Sequence, residues 1–486
     1  MASQPSPNAY NAFDINIGSF KGLFTALDAS LIPDGYCAAM KNVKIDDFGV
    51  AHSVMKPTIV TPTAPFPLPY VTRISKPSSS VYVVVNDGFL YNLAGTLKWS
   101  FVDTGSPRAV MFVGGEFVND YRDGLVGLTG TPAAIATANT ESAPVHSSAI
   151  CVYKDRLYFT MGSILRWSHP SNGNLASTWS GEHLNNFLNV VFSGYIIALA
   201  PTESGLFIFT SGRAYCLTEP KTGSFYEIYS GPEIPDINYL GAGYCDGAAY
   251  YYATKRGLYA FNGSPKLLSS VLTIDSGKSF VGYYDHRLWF LCTVPSGNPA
   301  TTMNPIYALN TITGAWEQYE GWTGTGTITN FVSLLGGGDS VYTDQEALYL
   351  GAYDTAAGGS GLFIYGGGIA ATTSVWPWEF TTKNFTPSLD AYSRPKYVKL
   401  TYAGQTASSV ATIQFYVDGT LADTVTQDMA GSGLYHKEIE VNPHTPAGAL
   451  GNSFQMRVSG AGTMDIKDCG VEFNPRGKGE NSGRTP

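Results

Sequence analysis

Short apolar segments with alternating polar residues follow one another along most of this chain, and turn sequences separate them. From about residue 70 to residue 370 one small pattern returns, in which a polar turn is followed by Leu and then by an aromatic or branched residue. Alternation with a period of two between turn signals predicts β-strands. The instances are Asp87-Gly88-Phe89-Leu90-Tyr91, Asp123-Gly124-Leu125-Val126, Asp155-Arg156-Leu157-Tyr158, Ser204-Gly205-Leu206-Phe207, Arg256-Gly257-Leu258-Tyr259, His286-Arg287-Leu288-Trp289 and Glu346-Ala347-Leu348-Tyr349.

The spacing of these instances predicts an irregular β-propeller of six or seven blades over residues 70–373. It drifts between about 30 and about 60 residues, around the roughly 40 to 50 expected for a four-stranded blade. Each unit is an amphipathic meander that cannot bury both of its faces alone, so neighbouring units must stack. We expect the Leu-aromatic pair to form the packing between blades. The alternative is a set of unrelated hairpins in a sandwich.

The N-terminal residues 1–69 are predicted to form an arm and a small module. Residues 1–20 are polar and rich in Pro and Asn, so we expect an arm that orders only against a neighbouring subunit. Pro33-Asp34-Gly35 is typical of a turn, and Asp46-Asp47-Phe48-Gly49 is typical of a hairpin between two strands. A Pro-rich segment at 62–69 ends the module.

Residues 374–475 have longer alternating segments, which predict an antiparallel β-sandwich. Asp418-Gly419 is a strong hairpin signal within it. The last residues, 476–486, contain few apolar side chains and are predicted to be disordered.

Composition supports an all-β fold. The chain has 486 residues, 13% aromatic side chains, 54 Gly and 28 Pro, and strand formers combined with turn formers disfavour helices. Tyr36 to Val43 and Glu182 to Val190 are the longest segments that could be helical, and neither sustains a helical period.

Charge and cysteine usage restrict the partners and the compartment. A net charge of −9 without a basic stripe argues against nucleic-acid binding. The negative charge is explained by ordinary solubility, and a mildly acidic wall would also suit a channel that passes DNA without holding it. Nowhere do 18 apolar residues run together, so we expect no membrane span and a protein made in the cytoplasm.

The cysteines are scattered along the chain, which excludes CxxC motifs. We expect them to be buried reduced thiols: Cys37, Cys151, Cys216, Cys245, Cys292 and Cys469.

Sequence motifs for catalysis, cofactors or metals are lacking, so we predict no catalytic residues, no cofactor and no metal site. There is no GxSxG elbow, P-loop or GxGxxG before a helix, and Gly336–Gly338 and Gly366–Gly368 are turn glycines. The histidines have no HxH, HxxH or HExxH spacing: His52, His146, His169, His183, His286, His436 and His444.

Paired carboxylates and aromatic clusters are the residues that a glycosidase site would use, and some glycosidases are propellers. Most candidate acids lie in predicted turns, where Asp bonds its own backbone: Asp46, Asp47, Asp87, Glu116, Asp155 and Asp285. The segment from His169 to Trp179 lacks the Asp of a sialidase Asp-box. Tyr250–Tyr252 and Trp376 with Trp378 could stack on sugars, but strand aromatics more often belong to a core or an interface.

Two groups of residues carry a resemblance to a known family. The first, Leu31-Ile32-Pro33-Asp34-Gly35 through Ala39, Asn42-Val43 and Asp47-Phe48-Gly49, resembles the N-terminal pattern of phage tail proteins. His52-Ser53-Val54 stands where that family often has Arg-Pro-Gly. The second is similar in order to the blades of podophage tail nozzles, also called packaged-DNA stabilisation proteins: Arg156–Phe159, Leu165–Ser168, Asn174–Trp179, Ile196–Leu199, Gly205–Phe209 and Tyr215.

The resemblance implies a ring of subunits, commonly six, below the portal and its adaptor ring. It also implies contacts with tail fibres or a plug, and a lumen through which the genome passes without specific binding. The leading hypothesis is therefore a non-enzymatic structural protein of the virion tail, which retains packaged DNA and passes it during ejection. The alternatives are a carbohydrate-binding propeller for host attachment and, third, a glycosidase.

Overall fold

A computed structural model describes about two thirds of the chain, in segments distributed along its length. The residues it describes are 13–16, 20–24, 31–59, 71–85, 88–101, 109–112, 114–120, 124–134, 149–167, 187–188, 192, 194–210, 212–218, 227–233, 243–254, 257–269, 279–292, 306–319, 328–336, 347–354, 361–366, 375–386, 391–405, 409–441 and 451–477.

Strands dominate the described residues, which contain no α-helix, and the all-β prediction is confirmed. The strands are β1 (Phe13–Asn16), β2 (Gly22–Leu23), β3 (Tyr36–Lys41), β4 (Val43–Ile45), β5 (Ala51–Ser53), β6 (Thr58–Ile59), β7 (Val71–Ser75), β8 (Tyr82–Val85), β9 (Phe89–Asn92), β10 (Leu97–Ser100), β11 (Ala109–Phe112), β12 (Gly115–Asp120), β13 (Gly124–Gly127), β14 (Ala133–Ala134), β15 (Ile150–Tyr153), β16 (Arg156–Met161), β17 (Ile164–Trp167), β18 (Phe187–Leu188), β19 (Ile196–Thr202), β20 (Gly205–Thr210), β21 (Arg213–Thr218), β22 (Glu227–Glu233), β23 (Tyr244–Cys245), β24 (Tyr250–Thr254), β25 (Gly257–Phe261), β26 (Pro265–Ser269), β27 (Ser279–Tyr284), β28 (Arg287–Cys292), β29 (Ile306–Asn310), β30 (Trp316–Tyr319), β31 (Ile328–Gly336), β32 (Ala347–Asp354), β33 (Leu362–Gly366), β34 (Trp378–Thr382), β35 (Ala391–Ala403), β36 (Val410–Val417), β37 (Thr420–Asp428), β38 (Leu434–Glu440), β39 (Phe454–Ala461) and β40 (Asp465–Gly477).

Seven four-stranded sheets account for the middle of the described chain. Six are meanders of consecutive strands, and the last takes β6 as its fourth strand. Numbered I to VII, they are β7–β10, β11–β14, β15–β18, β19–β22, β23–β26, β27–β30, and β31–β33 with β6.

The repeated Leu of the sequence pattern is buried in every one of these sheets. Leu157 packs between sheets II and III, whereas the next residue, Tyr158, packs between sheets III and IV. Because successive side chains of a strand point to opposite faces, the pair supplies one residue to each neighbouring interface. The predicted packing role is confirmed for the pairs of sheets I to IV, whose two residues belong to different clusters. Exposure is 0–3% for Leu90, Leu125, Leu157, Leu206, Leu258, Leu288 and Leu348.

Apolar and aromatic contacts join these sheets in chain order. Buried clusters connect I with II, II with III, III with IV and IV with V. Tyr244 of sheet V stacks on Tyr283 of sheet VI, and Trp289 of sheet VI contacts Tyr365 of sheet VII, with ring centroids 5.9 and 6.0 Å apart. A further cluster, which includes Val83 and Tyr349, joins sheet VII to sheet I. Among the described residues, each sheet therefore contacts the next, and the last contacts the first.

The chain divides into two compact units. Unit 1 comprises Met1–Lys56, Ala308–Glu320 and Thr372–Pro486, and unit 2 comprises Pro57–Tyr307 and Gly321–Ala371. The sequence boundaries placed all of residues 70–373 in one propeller domain, whereas residues 308–320 group with unit 1.

Unit 1 contains two six-stranded sheets in which strands from the N-terminal part of the chain lie beside strands from its C-terminal part. Sheet VIII has the order β38-β35-β40-β5-β4, with β1 also paired to β40, and sheet IX has the order β2-β3-β34-β39-β36-β37. The sequence predicted an N-terminal module and a C-terminal sandwich as separate domains, whereas their strands are joined in the same two sheets.

The expected antiparallel sandwich is modified in one pair of strands, since β2 pairs with β3 in parallel. Phe473 of sheet VIII contacts Phe454 and Phe415 of sheet IX, with ring centroids 4.8 and 6.5 Å apart, so the two sheets bury a shared core.

Three local expectations need correction. Tyr36–Lys41, within the segment Tyr36 to Val43 that could be helical by sequence, is a strand. A bulge between Cys37 and Ala39 sets the buried Cys37 and Met40 three positions apart, which imitates a helical period. The predicted arm was expected to order only against a neighbouring subunit. Its residues Phe13–Asn16 instead form a strand that pairs with β40 of the same chain.

The predicted disordered tail began at residue 476, but strand β40 extends to Gly477. Residues 478–486 lie outside the described residues.

Candidate functional site

Two exposed turns of unit 1 lie side by side. The backbone N–H of Phe20 donates to the carbonyl oxygen of Gly49, and that of Lys21 donates to the carbonyl oxygen of Gly35, both at 2.9 Å. Because Phe20 and Lys21 are consecutive, the turn at 46–49 and the turn at 33–35 flank the same short segment of backbone. Sequence reasoning predicted both turns, and both are confirmed, with Gly35 and Gly49 at φ of 85° and 78°.

The two turns expose apolar side chains beside acidic ones. Phe48 is 87% exposed, and Leu31, two positions before the turn at 33–35, is 74% exposed. Pro33, Asp34 and Asp47 are also exposed. We call these five residues the turn surface. Single exposed apolar side chains are ordinary, but two large ones on adjoining turns are typical of a contact surface.

The turn that carries Phe48 is held in a defined shape by Asp46. One carboxylate oxygen of Asp46, Oδ1, accepts hydrogen bonds from the backbone N–H of Phe48 at 2.9 Å and of Val50 at 2.8 Å. Asp is favoured at this position because its side chain satisfies the backbone of the residues that follow. The exposure of Phe48 is therefore the result of an ordered turn.

His52 connects this turn to β40. Its Nε2 lies 3.1 Å from Oδ2 of Asp46, and its Nδ1 lies 2.5 Å from Oδ1 of Asp465. The remaining oxygen of Asp465 accepts a hydrogen bond from the Gln405 side chain at 3.1 Å. One continuous chain of hydrogen bonds thus runs from Gln405 through Asp465, His52 and Asp46 to the backbone of the exposed turn.

The electrostatics of this cluster favour an imidazolium between two carboxylates. The hydrogen bond with Asp465, together with that to Asp46, raises the pKa of His52 despite partial burial. The same bond from His52 lowers the pKa of Asp465. Partial burial alone would raise the pKa of Asp46, but hydrogen bonds from His52, Val50 and Phe48 lower it. Since both ring nitrogens of His52 face carboxylates, this histidine offers no lone pair for base catalysis or for a metal.

The base of the same hairpin is fixed by side chains of the β29–β30 segment. The N–H of Ile45 donates to Oε1 of Glu317 at 2.8 Å, and Oε2 of Glu317 accepts from the Tyr319 hydroxyl at 2.6 Å. Glu317 is 0% exposed. Strand β4 lies at an edge of sheet VIII, and this contact satisfies one donor of an edge that would otherwise be open.

The other histidines do not form a site among the described residues. His286 lies in a turn, with its Nδ1 3.4 Å from the Tyr283 hydroxyl, and Nδ1 of His436 lies 3.0 Å from the Thr401 hydroxyl. His146, His169, His183 and His444 lie outside the described residues. No group of three or more His, Cys, Asp or Glu side chains in the described segments is arranged to hold a metal ion.

The described candidate carboxylates lie at separate positions, and Glu116 and Asp285 accept hydrogen bonds from different local partners. Glu116 accepts hydrogen bonds from Tyr82, at 2.5 Å, and from Ser78. Asp285 accepts from the buried Arg287 at 3.3 Å. Asp155 occupies a turn at φ 57°. Asp87 and the whole Asp-box-like segment from His169 to Trp179 lie outside the described residues.

The aromatic clusters divide into core and surface. Tyr250, Tyr252, Trp376 and Trp378 are buried. Tyr251 is half-buried and stacks on Tyr244, which stacks in turn on Tyr283, with centroids 6.2 and 5.9 Å apart. The Tyr251 hydroxyl donates to Asp246 at 3.0 Å, and burial together with this carboxylate raises the pKa of Tyr251 to about 12.

Sequence reasoning identified the turn at 46–49 but missed the partners that fix it. Asp465 is 413 positions from His52, and Glu317 is 272 positions from Ile45. Gln405 joins the cluster through its hydrogen bond to Asp465. As to membranes, the described residues include no helix with the length and apolarity that a span requires.

Comparisons with known proteins give no family. No family model matches the chain, and no curated protein matches it. Among solved structures, the computationally designed Ika8 protein aligns at 9% identity and a TM-score of 0.37, over 64% of this chain and 99% of that one. The WD40 domain of Neurospora crassa Pan2 aligns at 9% and 0.36, over 65% and 96%.

A glycoside hydrolase is also among these structures. The GH74 enzyme of Niastella koreensis aligns at 12% identity and a TM-score of 0.35, over 65% of this chain and 44% of the enzyme. With similarity this low, these alignments carry no conclusion about function.

Proposed function

We propose that the protein is a structural subunit of a phage tail that forms part of the conduit below the portal and its adaptor ring. The observation that carries this proposal is the packing of seven four-stranded sheets, each on the next and the last on the first. Such packing favours a closed seven-bladed propeller, a rigid scaffold with few exposed edges. It agrees with the fold that the family resemblance implies.

The use of the ionisable side chains supports a role without catalysis. Asp46, His52 and Asp465 bond one another, and Glu317 and Glu116 each accept two hydrogen bonds from neighbours. Groups used in this way stabilise the fold, while the turn surface offers apolar contact to another molecule. In the proposed virion, the protein assembles as a ring, contacts the adaptor ring and tail fibres or a plug, and surrounds the passing genome.

Electron microscopy of the purified protein, alone and mixed with the portal–adaptor complex of the same virus, tests this function. We expect rings with a central channel that dock coaxially on the adaptor, as closed cyclic symmetry requires. Monomers that remain separate from the adaptor at micromolar concentration would refute the conduit proposal.

Carbohydrate binding is the second candidate, and the tyrosine stack favours it. Tyr251 and Tyr283 are half-buried at the surface, and Asp246 beside them could accept hydrogen bonds from sugar hydroxyls. If this candidate is correct, a glycan array should give hits that Tyr251→Ala removes and that Tyr195→Ala, at an exposed tyrosine outside the stack, leaves unchanged. Hydrolysis of the same glycans would test the glycosidase alternative, and an array without hits would reject sugar binding.

A further inference from the structure

His52 lies where two sheet neighbours present charged side chains on the same face. In the strand register His52 is opposite Lys44 of β4 and opposite Asp465 of β40. Asp46 of the turn bonds the other ring nitrogen, Gln405 after β35 bonds Asp465, and the charge of Lys467 of β40 also acts on Asp465. Two carboxylates thus bond the ring directly, while the two lysines add positive charge nearby.

The hydrogen-bond valence of imidazole makes this arrangement depend on protonation. A charged imidazole has two N–H donors, and a neutral one has a single donor and an acceptor nitrogen. Both ring nitrogens of His52 face oxygen atoms of carboxylates, which accept hydrogen bonds and cannot donate them when ionised. Only the charged ring can therefore bond Asp46 and Asp465 at once.

We propose that Asp46, His52 and Asp465 form a pH-sensitive lock on the turn that carries Phe48. With His52 charged, the lock ties the turn to β40. With His52 neutral, one carboxylate loses its donor and faces a ring lone pair, and the turn is released. The lock would control the order of the exposed Phe48 and so the readiness of the turn surface for contact, whether or not the protein belongs to a tail.

The direction of the pH effect follows from the pKa shifts. The pKa of His52 is raised above its ordinary value of 6.5, so its contribution is complete below about 6.5 and is lost as the pH rises through the higher folded value. The pKa values of Asp46 and Asp465 are lowered from 3.8, so their contribution is complete above about that pH and is lost under more acidic conditions. The lock is therefore strongest between about pH 3.8 and about pH 6.5, and it opens as the pH rises through the raised pKa of His52.

Hydrogen exchange measured by mass spectrometry on the full chain tests the lock. Peptides covering residues 43–53 are followed from about pH 5.5 to about pH 9, with rates corrected for the intrinsic pH dependence of exchange, because a histidine of raised pKa titrates in this range. We expect protection of the turn to fall as the pH rises through the raised pKa of His52, because the charged ring is then lost. Peptides from sheets I to VII should show no such change.

Two histidine variants provide the comparison. In His52→Gln, an uncharged side chain can still donate to one carboxylate but does not titrate, so protection should be constant with pH. His436→Gln changes a histidine of the same unit whose observed partner is a hydroxyl, and it should retain the wild-type pH profile.

Two outcomes would overturn the lock. One is wild-type protection that does not change with pH. The other is an unaltered pH profile in His52→Gln. Carbon-13 histidine NMR gives a second measurement: the resonance that disappears in His52→Gln must titrate above pH 6.5, and titration at or below that value would also contradict the lock.

Discussion

Phe473→Ala is expected to destabilise unit 1 by about 3–5 kcal/mol, the range measured for removing a large buried aromatic side chain. Phe473 is 0% exposed and contacts Phe454 and Phe415 of the opposite sheet. The truncation would leave a cavity between the two sheets, which neither sheet can close without moving from its backbone pairing.

Two buried thiols give a direct measurement of this effect. Cys37 of sheet IX and Cys469 of sheet VIII are buried, and burial raises the pKa of Cys37 to about 12 and also raises that of Cys469. Both thiols should therefore react with an alkylating reagent only when unit 1 opens. Peptide-resolved labelling should accelerate in Phe473→Ala by roughly two to three and a half powers of ten, because about 1.4 kcal/mol corresponds to a factor of ten.

The matched control is Phe48→Ala, the same substitution at a residue that is 87% exposed. It should change stability by no more than about 0.5 kcal/mol, as is usual for surface positions. Equal labelling rates in the two variants would show that Phe473 does not hold the two sheets together. Labelling by peptide is preferred to one melting temperature, because a chain with two compact units need not unfold in a single step.

The sheets of unit 2 could be predicted from sequence because their determinants are local. Each repeated Leu lies within a few residues of its turn, and the residue after it points to the other face, so one short segment specifies both a strand and two interfaces. The same locality explains the turn at 46–49, where Asp46 bonds backbone groups two and four residues away.

The assembly of unit 1 depends on contacts that no local pattern reveals. His52 and Asp465 are 413 positions apart, and Ile45 and Glu317 are 272 positions apart. Strand β3 has a helix-like pattern for a different reason, since its bulge changes the spacing of buried residues from two to three. Prediction therefore succeeded where neighbours in sequence set the structure, and it failed where distant segments complete a sheet or a hydrogen-bond chain.

Glu317→Ala is expected to give the second large loss of stability, about 3 kcal/mol, because burying a donor without its acceptor costs about 1–3 kcal/mol for each group. The substitution removes the acceptor of both the Ile45 N–H and the Tyr319 hydroxyl. Loss of the buried carboxylate also ends its own desolvation cost, which keeps the expected total below the sum of the two largest penalties.

Three further variants separate the contributions to this effect. Glu317→Gln keeps one oxygen acceptor for Ile45 and should lose less than the alanine variant. Combining Glu317→Ala with Tyr319→Phe removes the stranded hydroxyl as well, so part of the loss should be recovered. Glu438→Ala removes an exposed glutamate that lies 3.9 Å from Lys399, and it should cost less than about 1 kcal/mol.

The position of Glu317 also connects this stability measurement with the turn surface. Ile45 immediately precedes Asp46, so the contact of Glu317 with Ile45 fixes the strand from which the exposed turn begins. Hydrogen exchange in Glu317→Ala should therefore accelerate across residues 43–50 at every pH, whereas His52→Gln should remove only the pH-dependent part. If exchange of this segment were unchanged in Glu317→Ala, the contact of Glu317 with Ile45 would not order the hairpin.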